Sequence, residues 1–217
     1  VPELLRALWI NVQIMLISEL FILVIGATVA VLRTLQGPAF FPVRFLMAAY
    51  VDVFRGLPLL IVLLAVGYGI PALRLAGAPN SEFVLGIISL VLCYSAYVAE
   101  VFRAGIESVH YSQRAAARSL GLTTWQTTRH VVLPQAVRRV LPPLLNDFVS
   151  LQKDTSLVYT LGVIEVTLTA QNQVSRDFKF VHYIFAGLIF LALTVPATRF
   201  TDWYSRRKGW IGGGVIR

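Results

Sequence analysis

The chain has 217 residues, of which 57% are hydrophobic and 14% are charged, and its mean hydropathy is +0.72. Soluble globular domains carry about 25% charged residues, so this composition excludes an ordinary soluble domain and indicates an integral membrane protein. The formal net charge is +8. We attribute that charge to basic loops that face anionic lipid, and we expect no nucleic-acid partner because no DNA- or RNA-binding signature accompanies it.

Apolar runs predict an all-α polytopic membrane protein, since a spanning helix needs about 20 mostly apolar residues. We predict a single membrane domain over residues 1–217. Its five spans are expected at about 7–32, 56–74, 83–102, 144–170 and 182–204. The span at 144–170 carries four charged residues, which are costly on a helix that faces lipid, so we expect it to line a protein interior.

The start of the second predicted span contains Gly56 and Pro58, which indicate a break or tight packing at that point. Arg55, just before them, is interpreted as an interfacial cation. Cys93, the single cysteine, lies in the third span and is interpreted as a small core residue.

The distribution of Lys and Arg predicts the orientation, because cytoplasmic loops carry the excess of basic residues. With the N-terminus outside, the cytoplasmic segments are 33–55, 103–143 and 206–217, and they hold 13 of the 19 basic residues. We therefore predict five spans with the N-terminus outside and the C-terminus in the cytoplasm.

A polar segment, residues 112–136, interrupts this membrane-like sequence and is here called the coupling segment. Residues Ala115–Leu120 are a run dominated by good helix formers, and Gly121 is the type of residue that ends a helix in the left-handed conformation. The pattern predicts two short helices joined at Gly121. On local pattern alone, the segment could dock on another protein or lie on lipid headgroups as an amphipathic loop.

The second short helix is predicted from two features of the coupling segment. Thr123 and Gln126 have the spacing of a capping box, which favours a helix start. Pro134 lacks the N–H that the helix would need, so we expect that helix to close after Leu133.

The coupling segment resembles the EAA motif of the permease subunits of bacterial ABC importers, within the polar amino acid uptake family. In words, the motif is Glu-Ala-Ala, three residues, Gly, about nine residues, an aliphatic residue, any residue and Leu-Pro. Ala116 and Ala117 match the two alanines, Gly121 matches the glycine, and Val131–Pro134 match the close. Ala115 stands where the glutamate is expected.

Three further stretches resemble the same family. They are FRGLPLLIVLL at 54–64, YVAEVFRAGIESV at 97–109 and KDTSLVYTLGVIEVT at 153–167. With the coupling segment, they run over about residues 50–170 in the order that the family has. The resemblance therefore covers more than half of the chain.

The resemblance implies a type I ABC importer permease fold in the bacterial cytoplasmic (inner) membrane. It implies three protein partners besides membrane lipid: two copies of a cytoplasmic ATP-binding subunit, a second permease that is identical or homologous, and an extracytoplasmic amino-acid-binding protein. The ATPase-coupling residues that it implies are Ala115, Ala116, Ala117, Arg118, Leu120, Gly121, Thr123, Leu133 and Pro134. Alanine at position 115 removes one polar contact to the ATPase, which either a heteromeric permease pair or a homodimer with an altered interface would accommodate.

The sequence contains no pattern of a catalytic or metal-binding chain. It has no G-x-x-x-x-G-K-[ST] loop to cradle phosphates, so ATP and magnesium are expected on the partner ATPase and no cofactor in this chain. His110, His130 and His182 are too scattered to bind a metal, and none lies in a nucleophile–base arrangement. We expect a permease subunit that is not an enzyme.

Candidate residues for the substrate pathway are the polar residues that a bilayer protein would otherwise avoid. Lys153 and Asp154 are adjacent, so they point in different directions on a helix and each needs another partner. Thr155 and Ser156 add hydroxyls that can bond a ligand or the helix carbonyls. These four residues could touch substrate or line its path.

The other pathway candidates each have a structural alternative. Glu100 and Arg103 lie about one helical turn apart, so they could pair with each other or stand at the inner mouth of the pathway. Glu165 and Glu19 could bind substrate or serve as packing or inter-subunit hydrogen-bonding groups. The segment Phe178–Tyr183 is expected outside, where a binding protein could rest.

A second class of protein would also fit the composition. This is an ion-coupled secondary amino acid carrier, with Glu19, Glu165 or Asp147 as the coupling acid. Such carriers usually have inverted repeats and more spans, and neither is visible in the sequence. A small receptor or scaffold without a pathway is the third class.

Overall fold

The structure is a computed structural model that describes residues 2–35 and 37–207. Within that part of the chain all regular structure is helical. The α-helices are α1 (Pro2–Thr34), α2 (Phe41–Gly56), α3 (Leu59–Ala72), α4 (Glu82–Glu107), α5 (Tyr111–Ser119), α6 (Thr124–Thr127), α7 (Leu133–Asp154), α8 (Val166–Asp177) and α9 (Val181–Arg207). Two 3₁₀ helices, Pro38–Phe40 and Thr155–Leu161, and one π-helical turn, Thr128–Val132, complete the described elements.

Helices α1 and α4 pack along most of their length and form the centre of the fold. A Cβ atom placed on Gly26 would lie 2.6 Å from Cγ1 of Val98, so the glycine is required for this close approach. Small residues at a helix contact let backbones come together in a membrane, where packing rather than water expulsion drives association. The main core cluster extends from this contact to α3 and α7 and includes Ile14, Ile22, Leu63, Leu90 and Leu151.

The second predicted span, 56–74, is not one helix that starts at Gly56. Helices α2 and α3 meet at an angle of 107°, and Leu57 and Pro58 form the break. A proline disfavours the helical conformation for the residue before it, and Leu57 is accordingly extended at ψ 137°. The predicted break at Gly56 and Pro58 is confirmed, and the helix of the span is limited to Leu59–Ala72.

The fourth predicted span, 144–170, is wrong as a single helix. Helix α7 begins earlier, at Leu133, and ends at Asp154, after which the 3₁₀ helix Thr155–Leu161 follows. Gly162 then adopts a left-handed conformation, with φ 96°, and α8 starts anew after Glu165. A residue in the left-handed conformation cannot continue a right-handed helix, so the helical path ends here. Glycine adopts this conformation readily, whereas other residues do so at a cost.

Three helices in the described part of the chain are long and apolar enough to cross a membrane: α1, α4 and α9. They contain the predicted spans 7–32, 83–102 and 182–204. The bent pair α2–α3 is a fourth candidate if it counts as one span. The count of five spans stays a prediction, and most of the predicted cytoplasmic tail, residues 208–217, lies outside the described residues.

Candidate functional site

The first helix of the coupling segment is α5, and a Schellman motif closes it. The N–H of Gly121 donates to the carbonyl of Arg118, and the N–H of Leu122 donates to the carbonyl of Ala117, at 3.0 and 3.2 Å. Gly121 has φ 84°, the left-handed geometry that this motif needs. The predicted glycine joint between two helices is therefore confirmed.

Helix α6 begins with the predicted capping box. The N–H of Gln126 donates to Oγ1 of Thr123 at 3.2 Å, and the N–H of Thr123 donates to Oε1 of Gln126 at 2.8 Å. These two bonds satisfy backbone donors that the first turn of a helix leaves without partners. The direction in which α6 leaves the joint is thereby fixed.

The predicted end of the second helix at Pro134 is wrong. The chain remains helical from α6 through the π-helical turn and into α7, and Pro134 lies in the first turn of α7. The N–H of Leu133 bonds to the carbonyl of Thr128, five residues back, which is the wider π pattern. The wider turn and the position of Pro134 in the first turn of α7 allow the path to continue through a residue that lacks an N–H.

The coupling segment exposes three large apolar side chains. Leu120 is 83% exposed and Trp125 is 69% exposed, while Leu133 is about half exposed. A groove of about 560 Å³ lies on the same segment, with Leu120 in its lining. Its lining residues are Gln113, Ala116, Ala117, Leu120, Leu122, Val131, Gln135 and Arg138.

The coupling segment is also bonded to the membrane helices. Arg114 donates to the carbonyl of Ile106 at 2.6 Å, and Arg139 on α7 donates to the carbonyl of Ser108, just after α4. A Cβ atom placed on Gly105 would lie 2.1 Å from Cγ2 of Val140, so α4 and α7 are in close contact here. The segment is thus bonded to α4 through Arg114, and it continues directly into α7, which contacts the same end of α4.

A second site lies deeper, where the α2–α3 break approaches α4 and α7. It is a cavity of about 220 Å³. The residues that line it are Leu57, Leu59, Cys93, Tyr94, Tyr97, Asp147, Ser150 and Asp154. We call it the acidic cavity, because it has two carboxylates and no cationic lining residue.

The two carboxylates of the acidic cavity differ in their partners. Asp154 accepts a hydrogen bond from the hydroxyl of Tyr94 at 2.6 Å. The Oδ2 atom of Asp147 is buried and has no hydrogen-bond partner among the described residues. A buried polar atom without a partner is uncommon in folded proteins and calls for an explanation. Asp147 therefore contributes to the lining of the cavity and carries one carboxylate oxygen that has no partner among the described residues.

A sequence profile described as "Binding-protein-dependent transport system inner membrane component" matches residues 22–210. The chain belongs to this family. The probable amino-acid ABC transporter permease protein PatM of Vibrio harveyi is 36% identical over 203 residues, which cover 93% of this chain and 90% of that protein. The glutamate/aspartate import permease protein GltK of Escherichia coli O157:H7 is 34% identical over 95% of this chain and 93% of its own length.

Two solved ABC transporter structures have the same fold as this chain. An amino acid ABC transporter crystallised with histidines is 28% identical, with a TM-score of 0.87, over 95% of this chain and 94% of that one. The MetNI methionine ABC transporter, in inward-facing conformations, superposes with a TM-score of 0.77 at 18% identity, over 94% of this chain and 95% of that one. The predicted all-α permease fold of a type I ABC importer is confirmed.

Among the predicted pathway residues of this inner membrane component, Asp154 lines the acidic cavity. Lys153 is exposed, whereas Asp154 faces the cavity, so this adjacent base and acid point apart as predicted. Ser156 is half-buried. Glu19 on α1 lies near enough to Asp147 for the two charges to interact. The other predicted residues lie in two separate polar networks.

The first network is built around Asn11, a buried residue of α1. Its amide nitrogen donates to Oγ1 of Thr155 at 3.1 Å and to Oε2 of Glu165 at 3.0 Å. Its amide oxygen accepts from the N–H of Val166 at 3.2 Å, while Glu165 caps α8 by accepting from the N–H of Leu168 at 2.9 Å. Thr155 and Glu165 are fully buried, so the geometry gives both a structural role.

The second network lies at the C-terminal end of α4. Glu100 accepts from Arg33 on α1 at 2.8 Å and from Arg103 on its own helix. Arg103 also pairs with Glu107. Of the two alternatives for Glu100 and Arg103, the structure has the ion pair, extended to α1 through Arg33.

Sequence reasoning missed four residues that form these sites. Asp147 was considered only as the coupling acid of an ion-coupled carrier, and Asn11, Tyr94 and Ser150 were not singled out. Asp147, Ser150 and Asp154 are spaced by three and four residues, which places them on one face of a helix. That spacing was the available signal, whereas the partners of Asn11 are more than 140 positions away.

Proposed function

We propose that this chain is the permease subunit of an ATP-driven importer of polar amino acids. Family membership supports the transport role, and relatives that are named amino-acid permeases support the substrate class. The chain pairs with a second permease, identical or homologous, and with two copies of an ATP-binding subunit. An extracytoplasmic binding protein delivers the amino acid.

The observation that carries the proposal is the coupling segment, with its exposed apolar side chains on a rigid frame. Leu120, Trp125 and Leu133 project from a segment whose turn and helix start are fixed by hydrogen bonds. Exposed apolar and aromatic side chains in one patch are typical of a protein–protein contact. This patch docks on the ATP-binding subunit, and the adjoining groove receives one of its side chains.

Movement of the ATPase pair passes from the coupling segment into the membrane helices. Arg114 bonds the segment to a backbone carbonyl of α4, Arg139 on α7 bonds to the carbonyl of Ser108 just after α4, and Gly105 brings α4 against α7. Since α4 and α7 both line the acidic cavity, displacement of the segment changes the cavity directly. The cavity is part of the pathway.

The proposed orientation puts the N-terminus outside and the coupling segment in the cytoplasm. ATP and magnesium bind the partner subunit, so this chain supplies the pathway and no ATP hydrolysis. The turn at Phe178–Tyr183 then faces outward, where Phe178 and Phe180 are strongly exposed. These two rings are the proposed contact for the binding protein.

The test of the docking role is Gly121→Val in the complete importer, reconstituted in proteoliposomes. A β-branched residue in left-handed geometry is strained by about 1–2 kcal/mol or more, so the joint changes direction. We expect ATP-dependent uptake to fall at least tenfold, while the variant still inserts into the membrane.

Gly77→Val is the matched control, because Gly77 has nearly the same conformation, with φ 81°, and likewise has no atom near its Cβ position. It lies outside the coupling segment, so uptake is expected to stay within twofold of wild type. Wild-type uptake by Gly121→Val, with normal ATPase co-purification, would refute the docking role.

A further inference from the structure

The acidic cavity has a cation at its rim as well as two carboxylates in its lining. Arg55 lies two residues before the lining residue Leu57, and its guanidinium carbon lies 5.6 Å from the ring centroid of Tyr97, another lining residue. The hydroxyl of Tyr97 donates to the carbonyl of Arg55 at 3.3 Å. Both contacts hold Arg55 against the cavity.

The guanidinium of Arg55 has capacity for a ligand. Its side chain makes no hydrogen bond or ion pair with the other described residues, and Arg55 is exposed. An arginine stacked on an aromatic ring keeps its donors in a plane that suits a carboxylate. The α-carboxylate of an amino acid is such a partner.

The two aspartates supply the opposite end of the site. Asp147 has a buried carboxylate oxygen without a partner, and Asp154 is fixed in position by the hydroxyl of Tyr94. They lie about two turns apart on α7, with Ser150 between them. One carboxylate suffices for an α-ammonium group, so the second remains for another cation.

We infer that the acidic cavity binds a basic amino acid, of the lysine or arginine type, with its carboxylate at Arg55 and its two cationic groups at Asp147 and Asp154. This inference rests on the proposed function and names its substrate class. Two carboxylates and one guanidinium complement two cations and one carboxylate. A dicarboxylic amino acid would leave like charges together in a space of low dielectric, which is strongly unfavourable.

Equilibrium binding to the purified permease–ATPase complex in nanodiscs, without binding protein, tests the inference. Radiolabelled L-lysine, L-arginine, L-glutamine and L-glutamate are the probes. We expect lysine or arginine to bind about tenfold or more tightly than glutamine, because a charged hydrogen bond is replaced by a neutral one, and glutamate to bind weakest.

Of Asp147→Asn and Asp154→Asn, the variant that removes the partner of the side-chain cation is expected to lose most of that preference and to keep glutamine affinity within about threefold. The variant that removes the partner of the α-ammonium group is expected to weaken lysine and glutamine alike. Arg55→Gln is expected to weaken lysine and glutamine equally, because both carry the α-carboxylate. The control is Glu82→Gln, which neutralises an exposed carboxylate at the other end of α4 and is expected to change no affinity.

The outcomes separate this inference from the proposed function. Saturable binding without preference for a basic amino acid, or no binding by the complex, overturns the substrate class while ATP-dependent uptake in the full system still supports the importer. Retention of the preference in both aspartate variants also overturns it. Absence of ATP-dependent uptake of every amino acid would instead refute the proposed function.

Discussion

Asn11 on α1 donates a buried hydrogen bond to Glu165, which begins α8, across 154 positions of sequence. The same amide contacts Thr155 and the backbone of Val166, so a single side chain joins α1 to the 3₁₀ helix and to α8. A buried carboxylate is stable only with such donors, because desolvation is otherwise uncompensated. The contact shows how one polar residue in an apolar helix positions two distant elements.

The first prediction concerns this hydrogen bond. Asn11→Leu should destabilise the protein by about 1–3 kcal/mol, because it leaves Glu165 and the N–H of Val166 with fewer partners. Thermal unfolding in detergent measures the change. Gln13→Leu is the control, since Gln13 is half-buried on the same helix and makes no hydrogen bond to the described residues. Equal stability of the two variants would contradict the role given to Asn11.

The second prediction concerns the contact between α1 and α4. Gly26→Val should destabilise the fold by about 1–3 kcal/mol through overpacking against Val98. Gly187→Val is the control, because Gly187 lies on an exposed face of α9 and has no atom near its Cβ position. Adding Val98→Ala to the Gly26→Val variant should restore part of the lost stability. If Val98→Ala does not restore it, and Gly187→Val is destabilised as well, close packing between α1 and α4 is contradicted.

The third prediction concerns the ion pairs around Glu100. If they are structural, Glu100→Gln should lower thermal stability by less than about 1 kcal/mol, since the pairs are only partly buried, and leave the KM for uptake unchanged. A double-mutant cycle with Arg33→Gln should show coupling between the two positions. A large rise in KM with unchanged stability would instead place Glu100 in the substrate pathway.

The fourth prediction concerns pH and the turn between α8 and α9. The hydrogen bond from His182 holds the pKa of Asp177 below its usual value, with a second bond from the N–H of Lys179. The lowered pKa means that this stabilisation is present above the unfolded value of about 3.9 and is lost as pH falls through the folded pKa. Hydrogen exchange at residues 177–182 should therefore rise, relative to the intrinsic rate, below about pH 4. Asp177→Asn should remove that dependence, and an unchanged pH profile in the variant would contradict the assignment.

Local patterns in the sequence predicted the parts of the fold whose cause is local. The long apolar helices, the glycine joint at Gly121 and the capping box at Thr123 depend on residues within one or two turns. Pro58 likewise predicted the break, because proline acts on its immediate neighbour. These elements needed no knowledge of the tertiary structure.

The errors came from features that depend on the surroundings. Pro134 lies within a continuous helical path because a π-helical turn precedes it, and that turn has no simple sequence signal. The interruption after Asp154 depends on Gly162 and on the cap at Glu165, which Asn11 completes from another helix. Charges in 144–170 predicted a protein interior, which the buried Glu165 fits and the exposed Lys153 does not. They gave no indication of which residues meet there.

The acidic cavity was predicted only in part for the same reason. Asp154 was recognised as a polar residue in an apolar span, but its partner Tyr94 comes from α4 and looks like an ordinary core aromatic. Asp147 was considered only as a coupling acid. Their common cavity arises from the approach of three elements, including the α2–α3 break, and no local pattern contains that information.

Uptake of a radiolabelled amino acid into proteoliposomes that hold the permease, its ATPase and its binding protein tests the central claim most directly. The account predicts uptake that requires ATP on the ATPase side together with the binding protein, and that is lost in Gly121→Val. Uptake by the permease alone, driven by a proton or sodium gradient without ATPase or binding protein, would contradict the account and identify an ion-coupled carrier.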